Sequence, residues 1–421
     1  MKVLMSAYAC EPGKGSEPAV GWNWALQAAR HHEVWVITRR NNRAAIEAAL
    51  AEAPQPNLHF VYHDPPKRLT FWKRKQRGVH LYYLLWQLSA LKLARSLHRR
   101  ERFDVGHHVT FVSHRFPSFL AWLGIPYVWG PVAGAETAPR AFYSTFGLKA
   151  VAKQVLRDLS NAAVRFDPLV RRTARNARTL LAATPDTASF VSRAFGREVE
   201  TSLAIGWSSG IASPRDDADG PLKMIYVGRL LYWKGVHLAL QAMVAAGAAR
   251  KGMTLTIVGD GPERSRLEQM ARNIGLEQAV RFLGQVPADE VASLLQEHNA
   301  FVFPSFQDSG AFAVLEAMAQ RLPVVALNCG GPGLLVTKDT GIAVTPVSPA
   351  QTVNALGDAL LRLHEDTALR RRLGDAGATR AVEAFSWDRI GELVSELYAR
   401  CAATNAVSEA PRLEYEASLP H

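Results

Sequence analysis

The feature that most constrains this chain is an alternation that runs through it twice. Short apolar runs rich in β-branched and aromatic residues are each followed by a longer stretch with helical periodicity. In the first half the strand-like runs lie at 2–7, 33–38, 58–63, 104–110, 126–132 and 179–184. In the second they lie at 223–228, 253–258, 280–286, 300–304, 323–328 and 341–346. Helical patterns fall between them, over 19–31, 42–53, 234–247, 262–275 and 312–320. The runs are apolar nearly throughout, as strands are when helices cover both faces of a parallel sheet. The expectation is an α/β protein of two Rossmann-like, doubly wound domains facing a cleft. A chain of 421 residues has room for both cores.

The expected division is an N-terminal domain over 1–205, a linker over 206–222 and a C-terminal domain over 223–385. The stretch GWSSGIASPRDDADG, from Gly206 to Gly220, has linker chemistry. Its Asp216, Asp217 and Asp219 have metal-binding spacing, but no strand precedes them to fix ligand geometry, so no metal is assigned. Residues 386–403 read as an amphipathic helix expected to cross back to the N-terminal domain, and 404–421 as a loose tail. Cys10, Cys329 and Cys401 are too few and too scattered for a disulfide framework or a zinc site, which fits a reducing cytoplasm. Met1 leads straight into a strand pattern without a charged and then apolar leader, so a cytoplasmic location is expected.

The net charge of +11 is confined to one half of the chain. Residues 1–220 hold 30 basic and 17 acidic side chains, whereas 221–421 hold 19 and 21. Much of the excess lies in Lys67, Arg68, Lys73, Arg74, Lys75 and Arg77, interleaved with Phe71 and Trp72 and followed by the pattern VHLYYLLWQLSALKLARSLHRR. The apolar core of that pattern, 79–91, is too short to span a bilayer. A basic aromatic loop beside an apolar helix suits shallow docking on an anionic membrane surface. The plainer alternative is a packed helix with a solvated basic loop. A nucleic-acid partner is not expected, because no known nucleic-acid module is present.

Ligands of open parallel sheets bind beyond the carboxyl ends of the strands, where helix N-termini attract anions. Three strand-end loops of the second half carry unusual residues. The first, Gly228-Arg229 through Lys234-Gly235, sets two cations five residues apart between glycines, which suits a diphosphate. The second, Gly259-Asp260-Gly261-Pro262, lets a ligand or a neighbouring backbone approach closely. The third runs from Pro304 through Asp308, Ser309 and Gly310 into a helix that carries Glu316, offering free N–H groups and two carboxylates. Read blandly, Asp308 or Ser309 is an ordinary N-cap and Glu316 a solvated helix residue.

Together these segments resemble the donor-binding half of glycosyltransferase family 4, whose members have the GT-B fold. The resemblance implies that Arg229 and Lys234 grip the nucleotide diphosphate, that Asp308 contacts the donor sugar, and that Glu316 binds the ribose hydroxyls. Asp308 stands where the family usually has Glu, and Gly333 follows Cys329-Gly330-Gly331-Pro332 where a Glu is common. In the first half, Glu11-Pro-Gly13-Lys14-Gly15-Ser16-Glu17 resembles the family's glycine-rich loop beside donor phosphate and acceptor. It lacks the third glycine of a dinucleotide fingerprint, which argues against an NAD enzyme. The strand end Asp104-Val-Gly-His107-His108 resembles the family's Asp-x-x-His element, in which a histidine faces the donor sugar. Which of the two histidines does so stays open, and a metal site at His107, His108 and His114 lacks a carboxylate or cysteine at ligand spacing.

The catalytic candidates are therefore Asp308, His107, His108, Arg229 and Lys234. The donor-binding candidates are Gly15, Arg229, Lys234, Gly259, Gly310, Ala311, Phe312 and Glu316. Glu136 is a weaker candidate on the acceptor side, and backbone near Gly284 to Val286 is expected to meet the donor base. The resemblance implies transfer with retention of anomeric configuration, a nucleotide-sugar donor, no obligatory cofactor or metal, and a saccharide or lipid-linked saccharide acceptor. A peripheral position on the inner face of the cytoplasmic membrane follows from the basic N-terminal half. An epimerase or phosphorylase of the same fold is the nearer rival. A glycoside hydrolase would need no diphosphate clamp.

Overall fold

The computed structural model describes residues 1–72, 78–208, 210–213 and 220–403. The 73–77 part of the basic loop, the Asp216, Asp217 and Asp219 cluster and the 404–421 tail lie outside the described residues. Two parallel sheets organise the rest. The first contains β1 (Lys2–Ala7), β2 (Glu33–Thr38), β3 (Leu58–Tyr62), β4 (Val105–Thr110), β5 (Tyr127–Val132), β6 (Thr179–Ala182) and β7 (Glu200–Thr201). Their order is β3-β2-β1-β4-β5-β6-β7. The second contains β8 (Lys223–Val227), β9 (Thr254–Val258), β10 (Val280–Gly284), β11 (Ala300–Phe303), β12 (Val324–Leu327) and β13 (Gly341–Val344), in the order β10-β9-β8-β11-β12-β13.

Each sheet reverses its winding once, between β1 and β4 and between β8 and β11, and a doubly wound sheet places ligands at that reversal. Every residue of β4, β5, β11 and β12 is buried, so the continuous apolar runs do reflect helices on both faces. β7 has only two residues, Glu200 and Thr201, and no apolar run marks it in the sequence. Local capping starts several helices: Thr184 accepts the Thr187 N–H, Ser348 that of Gln351, and Asp366 that of Leu369.

The helix Trp387–Ala402, capped by Ser386, packs against the helix Glu17–Ala29 and the β4 and β5 strands. Its Val394, Leu397 and Tyr398 are fully buried there. Ser395 Oγ lies 3.2 Å from His32 Nε2, and Arg400 pairs with Glu200 at 2.7 Å. The last helix thus completes the core of the first domain. The chain crosses between the domains twice, and the crossings are bonded to each other: Trp207 N–H donates to Phe385 O at 2.7 Å, and Trp387 N–H to Trp207 O at 3.2 Å.

The helix Val79–Glu101 turns Tyr82, Tyr83, Trp86, Ala90, Ala94 and Leu97 inward, into an aromatic cluster with Tyr8. Leu81 and Leu88 remain exposed, together with Leu69 and Phe71 before the helix. No helix of the described residues is long and apolar enough to cross a membrane.

Candidate active site

Three loops meet at the carboxyl edge of the second sheet. After β8 the chain passes Gly228 and Arg229, makes a single turn at Tyr232–Lys234, and enters the helix Val236–Ala245 through Gly235. Gly235 has φ +66°, and a Cβ there would overlap the carbonyl oxygen of Pro304, at the end of β11. Gly259, at the end of β9, would likewise collide with the Gly228 carbonyl. Both glycines are needed for backbone contact between loops, and the site is built from that contact.

Lys234 is the hinge-pin of the arrangement. Its ammonium pairs with Asp308 and lies 5.0 Å from the Phe303 ring centroid. Asp308 also accepts the N–H groups of Gly310 at 3.2 Å and Ala311 at 2.7 Å. Ala311, in the left-handed region at φ 49°, then starts the helix Phe312–Ala319. One carboxylate therefore holds the cation and the free N–H groups of a helix N-terminus together. Arg229 is exposed, and its backbone carbonyl accepts the Tyr226 hydroxyl at 3.1 Å. Glu316 lies half-buried on the next helical turn, and burial raises its carboxyl above the usual range. A desolvated carboxylate favours hydrogen-bond donors such as ligand hydroxyls. The sequence pattern assigns Arg229, Lys234, Gly259, Asp308, Gly310, Ala311, Phe312 and Glu316 to these loops, and the fold brings the loops that carry them together.

The first domain closes against this cradle through contacts that the sequence did not reveal. Glu136, 2% exposed, accepts the hydroxyls of Thr184 at 2.6 Å and Thr187 at 2.9 Å and the Gly134 N–H at 3.1 Å. It also accepts the Ser309 hydroxyl at 2.9 Å, across the cleft. Its carboxylate is saturated as a bolt between the domains and has no lone pair directed at an acceptor. Gln154 forms a second bolt: its Oε1 accepts from Tyr232 at 3.1 Å and Gln307 at 2.8 Å, while its Nε2 donates to Thr137 at 2.8 Å. Asp186 accepts the Gly330 N–H at 2.7 Å, in the turn that carries Gly333. These pairs join residues far apart in the chain, and no local motif announces them.

The two histidines do not open on the cleft. His107 is fully buried, with Nε2 2.8 Å from the Gly130 carbonyl and Nδ1 2.7 Å from the Tyr398 hydroxyl. The carbonyl can only accept, so Nε2 carries the proton and Nδ1 accepts from Tyr398. Burial pushes the ring down to about 4, so it is neutral near pH 7. His108 points to the opposite face of β4, with Nε2 2.9 Å from the Tyr83 hydroxyl, and burial pushes it down to about 3. Both rings are structural pins, which corrects the expectation that one faces the donor sugar. Gly15 lies in an exposed loop with open space around it.

A cavity of about 820 Å³ opens between the helix Leu148–Ala163 and the first sheet, reaching Ser309 of the loop after β11. Glu17 stands in its wall, accepting the Phe111 N–H at 3.1 Å. Although Glu17 is accessible to solvent, the surrounding protein atoms desolvate its carboxyl and push it up to about 7. Among the described residues, no group of three or more His, Cys, Asp or Glu side chains could hold a metal ion.

Comparison with known proteins agrees with this geometry. Residues 213–380 match the family model described as glycosyl transferases group 1. Glycogen synthase of Mycobacterium tuberculosis is 32% identical over 196 residues, 46% of this chain and 46% of that protein, so the chain spans about half the length of that relative. D-inositol 3-phosphate glycosyltransferase of Paenarthrobacter aurescens is 26% identical over 392 residues, covering 87% of this chain and 88% of its own. Anabaena HepE, solved with UDP, superposes with a TM-score of 0.62 at 18% identity over 95% of this chain and 100% of its own. Further structures of HepE hold UDP with glucose, and UDP-glucose. The second sheet is thus similar in sequence to group 1 glycosyl transferases, and the chain as a whole has the GT-B arrangement of two parallel sheets.

Proposed function

We propose that the protein is a retaining glycosyltransferase of family 4. In this reading it moves a sugar from a nucleotide-sugar donor, a UDP-sugar or GDP-mannose, to a saccharide acceptor. The acceptor is lipid-linked, and the reaction belongs to cell-surface or exopolysaccharide assembly at the inner face of the cytoplasmic membrane. The observation that carries the reading is the cradle in which Lys234 and the N–H groups of Gly310 and Ala311 converge on one carboxylate at the β8 to β11 reversal. A site that holds an anion with a cation and a helix N-terminus suits a diphosphate leaving group.

Cleavage of the bond between sugar and phosphate builds negative charge on the diphosphate and positive charge on the sugar ring. Lys234, Arg229 and the helix N-terminus offset the first, in place of a metal ion. Glu316 accepts the ribose hydroxyls. Once a phosphate has displaced it from the cradle, Asp308 faces the sugar. The departing phosphate oxygen takes the acceptor proton on the same face, which gives retention.

A thermal-shift screen with UDP, GDP, ADP and their sugars identifies the donor, and a transfer assay with the purified protein tests the roles. Arg229→Ala and Lys234→Ala are each expected to lower turnover at least about a hundredfold, equivalent to about 2.7 kcal/mol of transition-state stabilisation. Near wild-type transfer by both variants would sink the assignment. NMR of the product reads the anomer, and inversion would rule out attack on the same face. Co-sedimentation with anionic liposomes at low salt tests the membrane position, and recovery in the supernatant would refute it.

A further inference from the structure

The cavity beside Ser309 carries chemistry that the donor site does not use. Arg115 and Arg157 both line it. Arg115 donates to the Asn161 side-chain oxygen, which also receives His114 Nε2 at 2.9 Å. Arg157 donates to the carbonyls of Gly134 at 2.7 Å and Glu136 at 3.1 Å, which fixes its guanidinium at the cleft end of the cavity. Both guanidiniums are half-buried, and neither forms an ion pair among the described residues. Desolvation and the neighbouring charge of Arg157 push Arg115 down to about 10, with Asp158 compensating less than they remove. Two neighbouring positive charges whose hydrogen-bond partners are all neutral can still accept an anion.

The remaining wall defines what kind of anion. Lys153 adds a third cation, and Leu156, Phe111 and Phe116 supply an apolar side. Leu156 is exposed on a helix that turns its polar residues inward, and it continues into a stripe with Leu148, Val155 and Leu159. The two carboxylates in the wall do not neutralise the pair. Asp167 is committed to capping the helix Pro168–Asn176, where it accepts the N–H groups of Leu169 and Val170. Glu17 is held by the Phe111 N–H, and desolvation raises its carboxyl well above the usual range.

We propose that Arg115 and Arg157 form an anion-recognition subsite that holds the phosphate of an acceptor with an apolar tail, the tail lying along Leu156 and Phe116. Arginine offers several N–H groups to phosphate oxygens, and the cavity that holds the pair also reaches Ser309. This rests on the transferase reading for the word acceptor, but the binding event can be measured without turnover.

The probe is octyl phosphate below its micelle concentration, titrated calorimetrically, with octyl glucoside and glycerol phosphate as the neutral-tailed and tail-free arms. Wild-type protein is expected to bind octyl phosphate at least tenfold more tightly than either. Arg157 also secures two backbone carbonyls, so Arg115→Gln is the primary variant and Arg157→Lys the second, each checked by its melting curve. Arg115→Gln should weaken octyl phosphate at least tenfold, whereas Arg229→Ala should leave it unchanged. Equal binding of octyl glucoside, or unchanged binding in Arg115→Gln, would overturn the subsite. Equal binding of glycerol phosphate would overturn the apolar-tail assignment. If Arg229→Ala alone abolishes binding, the phosphate sits in the donor cradle and the proposal fails while the transferase reading survives. If octyl phosphate binds as expected but no nucleoside diphosphate does, the subsite stands and the transferase reading fails.

Discussion

Replacing Asp308 with Asn should tighten nucleoside-diphosphate binding while lowering transfer. In the structure the Asp308 carboxylate already occupies the cradle, joined to Lys234 and to the N–H groups of Gly310 and Ala311. The Lys234 and Asp308 side chains are only 14% and 17% exposed, so water screens the pair weakly. A diphosphate entering the loop must displace the carboxylate from at least one of these donors. Hydrogen bonds to charged groups contribute about 1.5–3 kcal/mol each. Asparagine keeps an oxygen for the helix N-terminus but gives up the charge that holds Lys234. Release of one such interaction corresponds to roughly a tenfold to hundredfold gain in affinity. Calorimetric titration of wild-type and Asp308→Asn protein with the nucleoside diphosphate that binds best measures it directly. Turnover should fall in the same variant, because the carboxylate that would turn to the sugar is lost. Unchanged or weaker nucleotide binding in Asp308→Asn would refute the view that this carboxylate stands in for the substrate's phosphate.

Stability should also depend on pH through the buried imidazoles. Burial holds His107 and His114 down to about 4 and His108 and His237 down to about 3. These rings stay neutral in the fold while the unfolded chain takes up protons below about 6.5, so their contribution is complete above that pH and is lost as pH falls towards the folded values. At pH 5 each ring would cost about 2 kcal/mol. The raised carboxyls of Glu17 and Glu316 act in the opposite direction. Urea midpoints at pH 7 and pH 5 check the balance, and a midpoint as high at pH 5 would contradict the neutral, buried state of the rings. Gly235→Ala places a side chain at φ +66° against the Pro304 carbonyl. A loss of more than about 2 kcal/mol is expected, together with weaker nucleotide binding as Lys234 moves. An unchanged urea midpoint would show that the close approach is not needed.

The convergence of the loops that carry Lys234 and Asp308 was legible in the sequence because each of its parts is local. Gly228, Arg229, Lys234 and Gly235 share one turn, and Asp308, Gly310 and Glu316 share one loop and its helix, so strand periodicity alone puts them on the same sheet edge. His107 and His108 were misleading for a physical reason. In a sheet covered on both faces, consecutive residues point to opposite sides and both become buried, one against Tyr398 and the other against Tyr83. The helix Leu148–Ala163 was harder still. It buries Gln154 and Asn161 and exposes Leu148, Leu156 and Leu159, so the usual inference from apolar periodicity points it the wrong way round. Its polar face is turned inward by Tyr232, Gln307 and His114, partners that no single segment contains.

The paired crossings at Trp207 and Phe385 bear on how the cleft can move. A single connecting segment would let one lobe swivel freely over the other. Two bonds in parallel register, around the Trp207 to Ser386 bridge, tie the neighbouring connectors to each other instead. The Ser309 to Glu136 and Gln307 to Gln154 contacts add a second tie between the lobes, made by side chains. The last helix belongs to the same joint: severing the chain at Ser386 would remove one side of the paired connectors and, with Val394, Leu397 and Tyr398, a piece of the opposite lobe's interior.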